Sequence, residues 1–101
     1  MEKRKPSYDL EAIKAAIESE ETLSITKVAR QDAIELGFDV ADIVKVISGI
    51  DRRMFFKSMT SYADHRNWQD VYFVPARGLL LYVKIQADVI TEFTVTSFKE
   101  K

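Results

Sequence analysis

Within LLLYVKIQADVITEFTVTSF, residues 79–98, apolar and polar side chains alternate with a period of two. Leu79, Leu81, Val83 and Ile85 point one way, and Leu80, Tyr82 and Lys84 point the other. Thr91, Phe93 and Val95 likewise oppose Ile90, Glu92, Thr94 and Thr96. The stretch is rich in β-branched and aromatic residues, so it reads as two half-buried strands, 78–86 and 89–98, with a turn at Ala87-Asp88. One face of the resulting sheet is apolar and needs a covering layer. The other face carries Tyr, Lys, Thr and Glu.

Upstream, FFKSMTSYADHRNWQDVYF (residues 55–73) collects the chain's only His and only Trp together with Phe55, Phe56, Phe73, Tyr62 and Tyr72. Its composition predicts strands over 54–61 and 67–74, with the segment Pro75 to Gly78 as the turn into the next strand. A strand that served only the core would not mix Lys57, His65, Arg66, Gln69 and Asp70 among these rings. The run is either a twisted hairpin with solvated polar positions or a binding surface.

Before Asp51 the period is helical. Leu10, Ile13 and Ile17 mark one helix within 8–20, capped by Ser7 or Asp9. A second helix starts at Ser24 as N-cap, with Leu23 and Val28 as a hydrophobic staple, and stops at Gly37. A third is capped by Asp39, stapled by Phe38 and Ile43, and ends near Gly49. Three helices followed by a strand meander predict a single α+β domain over 1–101, with the N-terminal helices packed on one face of a mainly antiparallel C-terminal sheet.

Composition narrows the function. At 101 residues and 47% hydrophobic content, the chain has room for one core and one site. It has no Cys and one His, so thiolate and paired-His metal sites are excluded and no metal or cofactor is expected. No apolar run reaches the roughly 20 residues of a membrane helix, and MEKRKPSYD is not a secretory signal, so a cytoplasmic protein without a membrane partner is expected. Net charge is −1, but residues 1–50 hold seven Lys+Arg against ten Asp+Glu, whereas 51–101 hold eight against six. The half containing the aromatic run is the basic half, which permits a polyanionic partner.

Residues 29–50 also have the spacing of a DNA-binding helix-turn-helix, which would make the protein a non-catalytic nucleic-acid-binding regulator. Against that reading, the recognition helix would begin Asp39-Val40-Ala41-Asp42, with carboxylates where phosphates would lie and Lys45 as its one cation. A packed helical pair is the better reading. Taken singly, His65 is a surface residue, Trp68 a packing anchor, and Lys57, Gln69 and Tyr82 solvated strand residues. If the strands that carry them are adjacent, however, these last three bring an amine, an amide and a phenol to one face. Register, which decides this, is left open by the sequence.

The run KSMTSYADHRNWQDVY, with the opening MEKR, the segment ELGFD, the tyrosine-centred LYVKI and the ending SFKEK, resembles the motility quorum-sensing regulator (MqsR) toxins of bacteria. The resemblance spans nearly the whole chain. It implies a RelE-like fold and a toxin that cleaves messenger RNA without the ribosome, favouring GC-containing sites such as GCU. It also implies a cognate zinc-binding helix-turn-helix antitoxin, through which operator DNA is reached only indirectly. Carried onto this chain, the catalytic positions fall on Lys57, Gln69 and Tyr82. Phe56 stands where family members can carry Tyr. RNA contacts are expected from Phe56, Met59, Tyr62, His65 and Arg77, with rings stacking on bases and polar groups meeting phosphate and ribose.

Overall fold

A computed structural model of the chain describes residues 1–62, 65–90 and 92–101. Strand β1 (Glu2–Lys3) is followed by helices α1 (Leu10–Ala16), α2 (Lys27–Glu35) and α3 (Val40–Ser48), then by strands β2 (Phe55–Thr60), β3 (Trp68–Ala76), β4 (Leu79–Asp88) and β5 (Glu92–Glu100). The sheet runs β1-β2-β3-β4-β5 with every neighbouring pair antiparallel. This is the expected α+β arrangement, with β1 added at one edge.

The helices begin and end where local chemistry and tertiary pairing agree. Asp9 caps α1 by accepting from the Glu11 N–H. That helix stops at Ala16, short of the expected 20, because Ser19 and Thr22 hydrogen-bond each other's backbone and hold a separate 3-10 turn at Glu20–Thr22. The cap of α2 is Thr26, which accepts from the Ala29 N–H, and not Ser24. Ser24 is taken by the sheet: its hydroxyl meets the Thr94 hydroxyl at 2.8 Å, and its carbonyl accepts from the Val95 N–H. Val28 is consequently exposed, so the Leu23–Val28 staple does not form. Gly37 ends α2 at φ +90°, a conformation that favours a residue without Cβ. Asp39 caps α3 with Asp42 reciprocating, and Phe38 and Ile43 are both buried.

The ends of β3 and β4 move. β3 continues through Pro75 to Ala76, so the turn is Arg77-Gly78 alone. Both residues have positive φ (52° and 77°), as a type I′ hairpin requires if it is to follow the strand twist. β4 runs to Asp88, which pairs with Glu92, so the expected turn at Ala87-Asp88 lies further on. Thr91 falls outside the described residues.

Two bulges reset the alternation. Along β2, Phe55 pairs with Tyr72 but Lys57 pairs with Val71, so Phe56 is an extra residue. Along β5, Ser97 pairs with Lys84 and Val95 with Ile85, which makes Thr96 extra. Strict alternation would have put Phe98 on the polar face with Thr94 and Thr96. The bulge returns it to the core, where it packs edge-on against Phe38 at 5.4 Å.

A single apolar cluster joins Ile13, Ile17, Ala29, Ala33, Ile43 and Ile47 of the helical layer to Tyr72, Leu81, Val83, Ile85, Val95 and Phe98 of the sheet. Buried Asp70 ties the N-terminal segment to this layer. Its carboxylate accepts from the Ser7 and Tyr8 N–H groups at 3.0–3.1 Å, while the Ser7 hydroxyl meets the Ser58 hydroxyl and the Tyr8 hydroxyl donates to the Trp68 carbonyl. Among the described residues no helix is long and apolar enough to cross a membrane.

Candidate active site on the open sheet face

The helices cover one face of the sheet, and the register sorts the other into three rows. One row reads Glu2, Met59, Gln69, Gln86, Thr94 across the five strands. The next reads Lys57, Val71, Lys84, Ser97, and the third Phe73, Tyr82, Lys99. Lys57, Gln69 and Tyr82 therefore do share a face, one in each row, on three adjacent strands. Val71 is fully buried although it lies on this open side, in the row between Lys57 and Lys84.

The β2 bulge has a direct effect here. It lets consecutive residues Phe56 and Lys57 both face outward: Phe56 stacks on Phe73 with centroids 4.4 Å apart, and the Lys57 ammonium lies 5.3 Å from the Phe56 ring. Arg4 also lies over the Phe56 ring, at 5.2 Å, and donates to the Phe56 carbonyl. Beside the two rings opens a cleft of about 370 Å³ lined also by Arg53, Met54 and Pro75.

Met59 is flanked in its row by Glu2 and Gln69, with the Tyr82 hydroxyl 4.0 Å from its sulfur. Gln69 donates from Nε2 to Gln86 Oε1 at 2.7 Å, which fixes the direction of its amide. The Lys57 ammonium is ion-paired with the Glu2 carboxylate. This contact and the charge of Lys57 pull the Glu2 pKa below its ordinary 4.5, so Glu2 is ionised at neutral pH. Burial pushes the Tyr82 phenol above 10; the charge of Lys57 works against that rise and the charge of Glu2 adds to it. Tyr82 is therefore a protonated donor at neutral pH. Burial, together with the nearby charges of Lys99 and Lys57, draws the Lys84 pKa below 10.5. Lys84 and Lys99 flank the Tyr82 ring at 5.8 and 5.4 Å, and Lys101 lies 4.9 Å from the Phe73 ring.

Other expected RNA contacts lie elsewhere. Tyr62 is fully exposed in the β2–β3 connection, and His65 is an exposed turn residue of the same connection, outside the three rows. Arg77 sits at the β3–β4 turn, engaged with the helical layer: its guanidinium meets Asp42 at 2.7 Å, donates to the Gly37 carbonyl and covers the Phe38 ring. It is thus held away from the Lys57 rows by Asp42, the carboxylate that also completes the α3 cap. With Asp39 and Asp42 reciprocally bonded at its start, α3 presents carboxylates where a DNA-reading helix would need donors. The residues that sequence reasoning missed on the open face are Glu2, Lys84 and Lys99. Lys84 was visible in the alternation of β4, but Glu2 had no signal until β1 was seen to pair with β2.

Fold and face together define a class: a small α+β protein whose uncovered sheet side carries cations, an amide, a phenol and stacked rings, the equipment for handling a polyanion through side chains. The chain belongs to the MqsR toxin family, described as "Motility quorum-sensing regulator, toxin of MqsA", whose model matches residues 5–100. It is 40% identical over 101 residues, the full length of both chains, to the mRNA interferase toxin MqsR of Escherichia coli (strain K12).

Proposed function

We propose that this toxin is an endoribonuclease that cuts messenger RNA by side-chain chemistry, without a metal ion or the ribosome. The cross-strand register carries the reading, since it brings Lys57, Gln69 and Tyr82 to one face around Met59. Metal-free RNA cleavage needs positive charge or donors on the phosphorane, an acid for the departing 5′-oxygen and a base for the ribose 2′-OH. Lys57 supplies the charge. Gln69 donates to a non-bridging oxygen or positions the ribose, and Tyr82, protonated at neutral pH, supplies the acid. The Phe56–Phe73 stack offers a platform for an unpaired base, and Lys84 and Lys99 continue the cationic track for the backbone.

GC-containing sites such as GCU are the proposed preference, in line with the family. The proposed partner is a cognate zinc-binding helix-turn-helix antitoxin that inhibits the toxin and carries the contact with operator DNA. Messenger RNA as substrate puts the activity in the cytoplasm. The test is a synthetic GC-containing RNA incubated with purified protein in EDTA, with no ribosomes. Specific cleavage that stops when the antitoxin is added is the expected result. Binding without cleavage would favour the non-catalytic regulator instead.

A further inference from the structure

The trio on the open face lacks one component. Gln69 does not ionise, the Lys57 ammonium is already paired as a cation, and burial keeps Tyr82 protonated. Neither Gln69 nor Tyr82 offers an acceptor for the 2′-OH proton at neutral pH, and Lys57 is committed to its ion pair. The pairing of β1 with β2 brings in a fourth group, Glu2, which heads the row containing Met59 and Gln69. Its carboxylate contacts the ammonium of Lys57, half its side chain is open to solvent (55%), and it is ionised. A phosphodiester held by Lys57 would have its ribose within reach of the same carboxylate, because Lys57 has three N–H donors and only one is needed for Glu2.

We propose that Glu2 is the general base of the cleavage reaction, contributed to the site by the N-terminal strand. This rests on the ribonuclease reading above. In the step, a Glu2 carboxylate oxygen takes the proton from the ribose 2′-OH and the freed 2′-oxygen bonds to phosphorus. The bond from phosphorus to the 5′-oxygen breaks, and that oxygen leaves with the Tyr82 hydroxyl proton. The products are a 2′,3′-cyclic phosphate and a 5′-hydroxyl, and no water is consumed. Proton return from Glu2 to Tyr82 through solvent resets the site. The charged groups facing Glu2 are Lys57 on β2, Arg4 and the Met1 amino group, and Tyr82 on β4 is the other titratable group that senses it.

The discriminating variant is Glu2→Gln, which keeps an oxygen for the Lys57 ammonium but cannot take a proton. Single-turnover and steady-state cleavage of a defined RNA would be followed across neutral pH, alongside Glu2→Asp and the exposed-carboxylate control Glu18→Gln. A general base is worth about 10²–10⁴-fold, so kcat of Glu2→Gln should fall by that factor with KM little changed. Its residual rate should climb about tenfold per pH unit, as hydroxide replaces the carboxylate, where the native protein shows a plateau. Glu2→Asp should be slow but keep the plateau. Affinity for an RNA with a 2′-deoxy sugar at the cleaved position should be the same in all variants. Native cleavage with an unaffected Glu2→Gln, or a slowed Glu2→Gln that keeps the plateau, would overturn the assignment and leave the ribonuclease reading standing. A faster Glu2→Gln would also overturn it, marking Glu2 as a plug on Lys57. No cleavage by the native protein would remove both.

Discussion

At the scale of single residues, the open face separates groups by what they do with a proton. Lys57→Ala, Gln69→Ala and Tyr82→Phe should each lower cleavage by on the order of a hundredfold or more, the usual cost of removing one well-aimed donor from a transition state. Because burial raises the Tyr82 pKa above 10, the native rate should decline only at alkaline pH beyond that value, and Tyr82→Phe should abolish that decline along with most of the rate. Circular dichroism and thermal melts of the three variants should match the native protein, since their side chains lie on the face opposite the helical layer. Wild-type rates from all three variants would move the active site elsewhere.

At the scale of elements, capping and pairing decide the boundaries. Thr26→Ala should cost about 1 kcal/mol by removing the α2 cap, a drop of roughly 4–8 °C in Tm for a domain of this size. Thr26→Ser should restore most of it, and a melt unchanged by Thr26→Ala would refute the cap. Much of this layer was legible: the helix periods, the Asp39 cap, Gly37 as a stop and the alternation of β4 all read correctly because they depend on neighbours within a turn or two. What escaped depends on partners far along the chain. Ser24 looks like a cap until Thr94 and Val95 claim it. Glu2 and Lys3 have no strand propensity of their own and are extended only because Met59 and Ser58 pair with them. The bulges at Phe56 and Thr96 leave no mark in the local pattern, yet one turns Phe56 and Lys57 to the same side and the other returns Phe98 to the core. The candidate trio was visible as residue types, but its common face became definite only with the register.

At the scale of the whole molecule, a net charge of −1 conceals a polarised distribution, with cations gathered along the open face and carboxylates at the start of α3 and in the 3-10 turn at Glu20–Thr22. The meander joins strands through short connections, but the segment before α1 is held by contacts that span more than fifty residues, Glu2 to Lys57 and Ser7 to Asp70 among them. Few apolar groups support that segment, so it is the part of the fold expected to open locally, at lower free energy than global unfolding. Lys3 lies 4.1 Å from the Trp68 ring and the Tyr8 hydroxyl donates to the Trp68 carbonyl, so the chain's single indole reports whether the segment is docked. In a urea titration, Trp68 fluorescence and RNA cleavage should fade together at concentrations where far-ultraviolet dichroism still shows intact helices. Coincidence of all three transitions would mean that the segment unfolds only with the rest. If the segment opens first, latency is a property of the fold: a small free-energy gap between docked and undocked ends sets what fraction of the toxin is armed at any moment.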